Sequence, residues 1–272
     1  MRVRRRVSVV VVATGLVMAV AVPASTKSSQ PTGSTARTAL DPVSLRNAMA
    51  LAPGPAPGTK DSTNWSGYAD TGEAFTNVSG QWVQPAVSCA KAKLGFAAFW
   101  VGLDGFTSAT VEQTGTEAVC VGAQTAYEAF YELYPAAAVV LDSSTYPVLP
   151  GDAVTANVSA GSGSVFTISL SSSRGWAFTT TGSAPSAAES SAEWIAEAPS
   201  LCFLSQCTVL PLAKFGTVDF TGASATSGAS SGSISAFTNE RIVMEKKNKV
   251  VKANPSALSA DGTSFSDSWS HS

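Results

Sequence analysis

Two stretches of this sequence hold side chains suited to proton transfer and charge stabilisation. Glu193 sits in Ser191-Ala192-Glu193-Trp194-Ile195-Ala196-Glu197. Gln113 sits in Glu112-Gln113-Thr114-Gly115, a few residues after Trp100-Val101-Gly102-Leu103-Asp104-Gly105. These types matter because the sole histidine, His271, is the penultimate residue, and a frayed tail is a poor place for a catalytic base. Serine and cysteine hydrolases normally recruit histidine to activate the nucleophile, and most catalytic zinc sites use it as a ligand. A hydrolase built from this chain must route its protons through carboxylates.

Two shorter matches are read as coincidences. Gly228-Ala229-Ser230-Ser231-Gly232 has nucleophile-elbow spacing, but it lies in low-complexity sequence and has no histidine partner. Asp70-Thr71-Gly72 matches the loop that carries an aspartic-peptidase carboxylate. That chemistry needs a second such loop so that two aspartates share a proton. No second Asp-Thr-Gly or Asp-Ser-Gly occurs, so this one is expected to be a turn.

The elements that must position the chemistry read as strands. Short runs rich in Val, Thr, Phe, Tyr and Trp alternate with Gly, Ser, Asn and Asp turns beyond Asn64. They fall at Gly80–Val83, Gly95–Leu103, Thr125–Leu133, Ala153–Ser159, Val165–Ser171, Ala192–Ala196, Gly216–Phe220 and Ser264–Trp269, with Thr221–Ser235 expected as a loop. Such spacing predicts an all-β sandwich or barrel, and about 210 residues suffice for one large β domain.

Strand parity then sorts the candidates. Glu193, Ile195 and Glu197 share one face, with Trp194 on the other; Glu193 and Glu197 lie about 13 Å apart along an extended strand and are no proton-sharing pair. Gln113 shares its face with Gly115 and, if the strand continues, with Glu117. Trp100, Gly102 and Asp104 likewise share a face. In Tyr127–Tyr134, Glu128, Phe130, Glu132 and Tyr134 oppose Tyr127, Ala129, Tyr131 and Leu133, and neither face is cleanly apolar. This strand suits a binding groove or a solvated face.

Composition narrows the class. Residues 1–24 form a cationic start, an apolar run and small residues for cleavage, the pattern of a secretory signal peptide. Residues 25–60, rich in Ser, Thr, Ala and Pro, read as a prosegment or linker with a possible helix at Pro42–Leu51. Residues 61–272 form the expected catalytic domain. Of 17 basic residues, eight lie at or before position 60 with one acid, which leaves the remainder with nine bases, 18 acids and a net charge of −9. An acidic body argues against nucleic acid as a partner and suits acid conditions. No membrane is expected as a partner once the leader is removed, and a monomer is expected. Four cysteines in an exported chain imply two disulfides; Cys89 with Cys120 and Cys202 with Cys207 are the expected pairs among three connectivities. No cysteine or histidine spacing suggests a metal site.

Five motifs carry a resemblance that single residues do not. Asn64-Trp65-Ser66-Gly67-Tyr68, Trp100-Val101-Gly102-Leu103-Asp104-Gly105, Glu112-Gln113-Thr114-Gly115, Tyr131-Glu132-Leu133-Tyr134-Pro135 and Ala192-Glu193-Trp194-Ile195-Ala196-Glu197 stand in the order seen in the glutamic peptidases, or eqolisins. From about Asn64 to Trp269 the sequence resembles that family. The resemblance implies a lectin-like (concanavalin-type) sandwich of two curved antiparallel sheets. It also implies acid endopeptidase activity on protein and peptide substrates, without metal or cofactor. The implied catalytic dyad is Gln113 and Glu193, with Trp65, Trp100, Asp104, Glu117, Gln124 and Tyr131 as groove or supporting residues. Fungal members commonly carry Asp where this chain has Glu117, and their cysteine positions differ. Two rivals follow from the fold class: a glycoside hydrolase using Glu193 with Glu117 or Glu132, and a noncatalytic carbohydrate-binding module.

Overall fold

The computed structural model of the chain describes residues 61–89, 94–203 and 206–272. The expected leader, the prosegment and the possible helix at Pro42–Leu51 lie outside the described residues. Eighteen strands are described: β1 (Asp61–Ser62), β2 (Trp65–Thr71), β3 (Asn77–Val83), β4 (Leu94–Leu103), β5 (Val111–Val121), β6 (Gln124–Tyr134), β7 (Val139–Val140), β8 (Ala153–Ala160) and β9 (Val165–Ser172), followed by β10 (Ala177–Ser183), β11 (Ser191–Glu197), β12 (Ser200–Phe203), β13 (Gln206–Val209), β14 (Thr217–Ser227), β15 (Ser230–Gly232), β16 (Thr238–Glu245), β17 (Val251–Pro255) and β18 (Phe265–Trp269). The only helical pieces among the described residues are two single 3₁₀ turns. No helix among them is long and apolar enough to cross a membrane.

The fold is all-β, as expected. A single hydrogen-bonded path runs β10-β9-β8-β3-β14-β18-β17-β16-β2-β11-β4-β5-β6-β7. Strand β16 joins the halves: it pairs with β17 on one side and with β2 on the other, with a register shift between Met244 and Glu245. A bulge of this kind increases local twist and bends the strand. The two halves then share one apolar core. Phe99, Val101, Ala118 and Trp194 of one half meet Trp82, Val154, Phe166, Ile168, Val218 and Phe220 of the other.

Local sequence accounts for the difference between the halves. In β8 and β9, Val154, Ala156, Val158, Phe166, Ile168 and Leu170 point inward and alternate with outward polar residues. Strands β4, β5 and β11 are instead buried on both faces. Indole N–H groups inside the core find acceptors on the opposite half: Trp82 Nε1 donates to Thr116 Oγ1 at 3.0 Å and Trp194 Nε1 to the Ser79 carbonyl at 2.8 Å. Each bond satisfies a buried donor and pins one half to the other.

Thr221–Ser235 is not a loop. Strand β14 runs on to Ser227, turns at Gly228 (φ 56°) and returns as β15. Its Ser- and Gly-rich outer face hides the inward Ala223 and Ala225, both buried. Asp70 also departs from expectation, since it is a buried strand residue and the turn begins at Gly72 (φ 89°). Cys89 is bonded to Cys120, which ties the segment before β4 to β5. Cys202 stands opposite Cys207 in the β12–β13 pair, and Cys207 is disulfide-bonded.

Candidate active site

Cross-strand register assembles the site. In β11, Glu193 is opposite Ala69 on one side and Gly102 on the other; Gly102 is opposite Gln113, and Gln113 is opposite Glu132. One row therefore reads Ala69, Glu193, Gly102, Gln113, Glu132 across five strands, with every side chain on the face away from the core. Strands stand about 4.8 Å apart, which puts the Glu193 and Gln113 backbones about 10 Å apart. The residue between them has no side chain. Glu193 and Gln113 thus stand two strands apart on the same face with no side chain between them.

That gap depends on Gly102. A methyl group there would lie 3.0 Å from Gln113 Cβ, 3.0 Å from Trp100 Cζ3 and 3.1 Å from the Glu112 carbonyl. The Gln113 amide is held from its far side, with Nε2 donating to Glu132 Oε2 at 2.8 Å. Gln113 Oε1 makes no hydrogen bond among the described residues.

Glu193 is wholly buried. Burial pushes its carboxyl well above the ordinary range, and Asp104 and Glu112 raise it further, against the Ser191 hydroxyl and the Phe106 backbone. A carboxylate with a raised pKa is a strong proton acceptor when ionised, and its neutral form stays available as a donor.

Two residues along, the next row places Gly67, Ile195, Trp100, Gly115 and Phe130 on the same face. The row beyond holds Trp65, Glu197, Ala98, Glu117 and Glu128. Trp65 and Trp100 pack edge to face at 4.8 Å. Glu197 lies beneath them, accepting from Trp100 Nε1 at 2.8 Å and from Asn64 Nδ2 at 3.2 Å. Burial lifts Glu197 to about 8 despite these bonds and that of Trp65, and Glu117 adds to the rise.

Asp104 acts from the edge. It stands past the end of β4 with φ 70°, so it leaves the face expected from strand parity. Its Oδ2 accepts the backbone N–H groups of Ala188 and Glu189, both at 2.8 Å, and Oδ1 accepts that of Ser190 at 2.9 Å. Hydroxyls of Ser190 and Ser108 complete the shell, and the Asp104 N–H donates to the Ser191 carbonyl at 3.0 Å. The segment leading into Glu193 is therefore fastened to the strand that carries Gly102.

Two expected groove residues stand elsewhere. Tyr131 points to the opposite face, where it stacks on Phe178 at 5.6 Å and packs against the core. Its odd parity in β6 sends it there, while Glu132 takes the dyad face. Gln124 has dyad-face parity, but it is exposed at the β5–β6 turn, eight residues and about 27 Å along the strand from Glu132. Glu117 lies two rows from Gln113 and is buried. Glu132 and Gly102 do not stand out in the sequence, because cross-strand register is invisible in a linear chain. Parity was the available signal: Glu132 alternates out of step with Tyr131, as a dyad-face residue must. Among the described residues no group of three or more His, Cys, Asp or Glu side chains is placed to hold a metal.

Comparison with known proteins identifies the family. Aspergillopepsin-2 of Aspergillus niger is 33% identical over 192 residues, covering 62% of this chain and 66% of that protein, just under two thirds of its length. Among solved structures, scytalido-glutamic peptidase with a peptide-based transition state analog aligns with TM-score 0.66 and 27% identity, over 76% of this chain and 98% of that one. Aspergilloglutamic peptidase from Aspergillus niger aligns with TM-score 0.55 and 31% identity, over 65% and 99% respectively. Residues 63–266 match the Peptidase A4 family, and this chain belongs to it.

Proposed function

We propose that this chain is a secreted acid endopeptidase that cleaves peptide bonds in proteins with Gln113 and Glu193 as its dyad. The observation that carries the reading is the register row that sets the two side chains on one face with only Gly102 between them. Family membership supports it, as does the likeness to a peptidase solved with a peptide-based transition state analog.

The chemistry follows from the two residue types. Glu193 takes a proton from the attacking water as general base and returns it to the departing nitrogen as general acid. A peptide nitrogen leaves poorly unless protonated, so one carboxyl must do both jobs. Gln113 donates an amide N–H to the developing oxyanion while Oε1 orients the water. It stays neutral at every working pH. Trp65 and Trp100, packed edge to face beside the row, back the site. Export through residues 1–24, a prosegment at 25–60 and a monomeric mature enzyme belong to the same proposal.

The test is hydrolysis of denatured casein at about pH 3.5 by wild type, Glu193→Gln and Gln113→Ala, with pepstatin in parallel. Wild-type activity should survive pepstatin, fall below detection in Glu193→Gln, and drop on the order of 100-fold or more in Gln113→Ala. A folded, processed wild type that leaves casein intact would overturn the reading. Polysaccharide substrates would then be assayed, because a glycosidase or carbohydrate-binding module should be indifferent to Gln113.

A further inference from the structure

A primary amide presents two nearly isosteric edges, one ending in N–H and one in C=O. In Gln113 the choice between them decides whether the side chain stabilises an oxyanion or repels it, since an oxygen turned toward developing negative charge would raise the barrier. Strand geometry does not make that choice, because turning the amide plane over leaves the backbone unchanged. The neighbour does. Glu132 lies directly opposite Gln113 in the β5–β6 pair, is wholly buried, and accepts Gln113 Nε2–H through Oε2 at 2.8 Å. With the amide reversed, two acceptor oxygens would meet at that distance in a site shielded from water, a costly arrangement.

We infer that Glu132 is the positioning residue of the dyad: it captures one amide hydrogen of Gln113, and so presents the second N–H and Oε1 to the reacting groups. This rests on the reading of Gln113 and Glu193 as the dyad. Glu132 itself touches no reacting atom. It stands on the outer side of Gln113, with the reaction gap above Gly102 on the inner side. Its contribution to the reaction therefore passes through Gln113, and Gln113 Oε1, with no protein partner among the described residues, is what such an arrangement leaves for water.

A double-mutant cycle tests this, using the full chain after acid processing and a synthetic peptide that spans one casein cleavage site. Glu132→Gln keeps the shape and one acceptor oxygen, so kcat should fall about 3- to 10-fold. Glu132→Leu removes the acceptor, and kcat should fall about 30- to 100-fold with KM within about threefold of wild type. In the Gln113→Ala background the same two substitutions should change the residual rate by less than about twofold. Calorimetric binding of a peptide transition-state analogue, measured in parallel, reads the same cycle in variants too slow to assay. Equal losses in both backgrounds would overturn the inference and mark Glu132 as a structural residue, as would wild-type kcat in Glu132→Leu. Persistent activity in Gln113→Ala or Glu193→Gln would instead sink the dyad reading, whatever Glu132 does.

Discussion

At the scale of the residue, function here depends as much on absent side chains as on present ones. Gly102 separates Glu193 from Gln113, and the three contacts that an added methyl would make include the Glu112 backbone, which cannot swing aside. Gly102→Ala should therefore cost roughly 1–3 kcal/mol of stability and at least about 30-fold in kcat/KM, because it displaces Gln113, the proposed oxyanion donor. Thermal melts beside peptide hydrolysis separate the two effects, and an alanine variant with wild-type turnover would show that the gap is not where reaction occurs. Gly67 makes a different demand. Its φ of +145° is strained for any other residue, and a methyl there would sit 2.0 Å from the Trp194 carbonyl oxygen. Gly67→Ala should yield no folded protein, judged by loss of near-ultraviolet circular dichroism.

At the scale of the element, the site is a register problem solved by turns. Asp104 fastens the exit of β4 to the segment before β11 through three backbone N–H groups. In Asp104→Asn one accepting oxygen becomes an NH₂ facing those donors. Stability should fall by roughly 2–4 kcal/mol, and kcat should fall with it because Glu193 begins its strand from that loop. A melting temperature within about 2 °C of wild type would refute the role. Such devices explain what could and could not be read from sequence. Strands β8 and β9 were legible because Val154, Ala156, Val158 and Phe166, Ile168, Leu170 alternate with polar residues. Strands β2 and β5 are hidden because, although buried on both faces, they carry Ser66, Gly67 and Asp70 or Glu112, Gln113, Thr114 and Gly115, whereas the equally buried β4 keeps a mostly apolar run. The second half of β14 was misread because its inward residues are only alanines among serines and threonines. Parity placed Glu193 with Glu197 and Gln113 with Glu117 on their respective strand faces. Only pairing could show that Gln113 lies between Gly102 and Glu132, since register depends on contacts distant in sequence.

At the scale of the whole molecule, buried acids tie the fold to low pH. Burial lifts Asp70 and Glu197 to about 8, Asp267 to about 7 and Glu112 to about 9, and holds Glu193 higher than its ordinary range. Asp104 adds to the rise at Glu112, whereas Arg241 opposes it at Asp267. In the unfolded chain these groups titrate near pH 4. Each folded pKa exceeds its unfolded value, so between the two the folded state binds more protons and stability falls as the pH rises. The stabilising difference is present in full below about pH 4 and is lost as the pH climbs through 7 to 9. Lys252, lowered by burial to about 8, works in the opposite sense, but only above about pH 8. Self-repulsion among 18 acids and nine bases beyond position 60 acts in the same direction as the buried acids. The melting temperature should be highest near pH 4 and lower by roughly 10–20 °C at pH 8. Asp70 gives the sharpest test, because neither carboxyl oxygen has a hydrogen-bond partner among the described residues. Asp70→Asn removes the proton equilibrium while keeping the shape. It should leave the pH 4 melting temperature within a few degrees and shrink the fall to pH 8 by roughly 5–10 °C. A wild type that melts higher at pH 8 than at pH 4 would mean that the buried acids find compensation elsewhere. If melting and activity decline together, and Asp70→Asn holds its fold at pH 8 without regaining turnover, the two limits are separate, and the buried core sets only one of them.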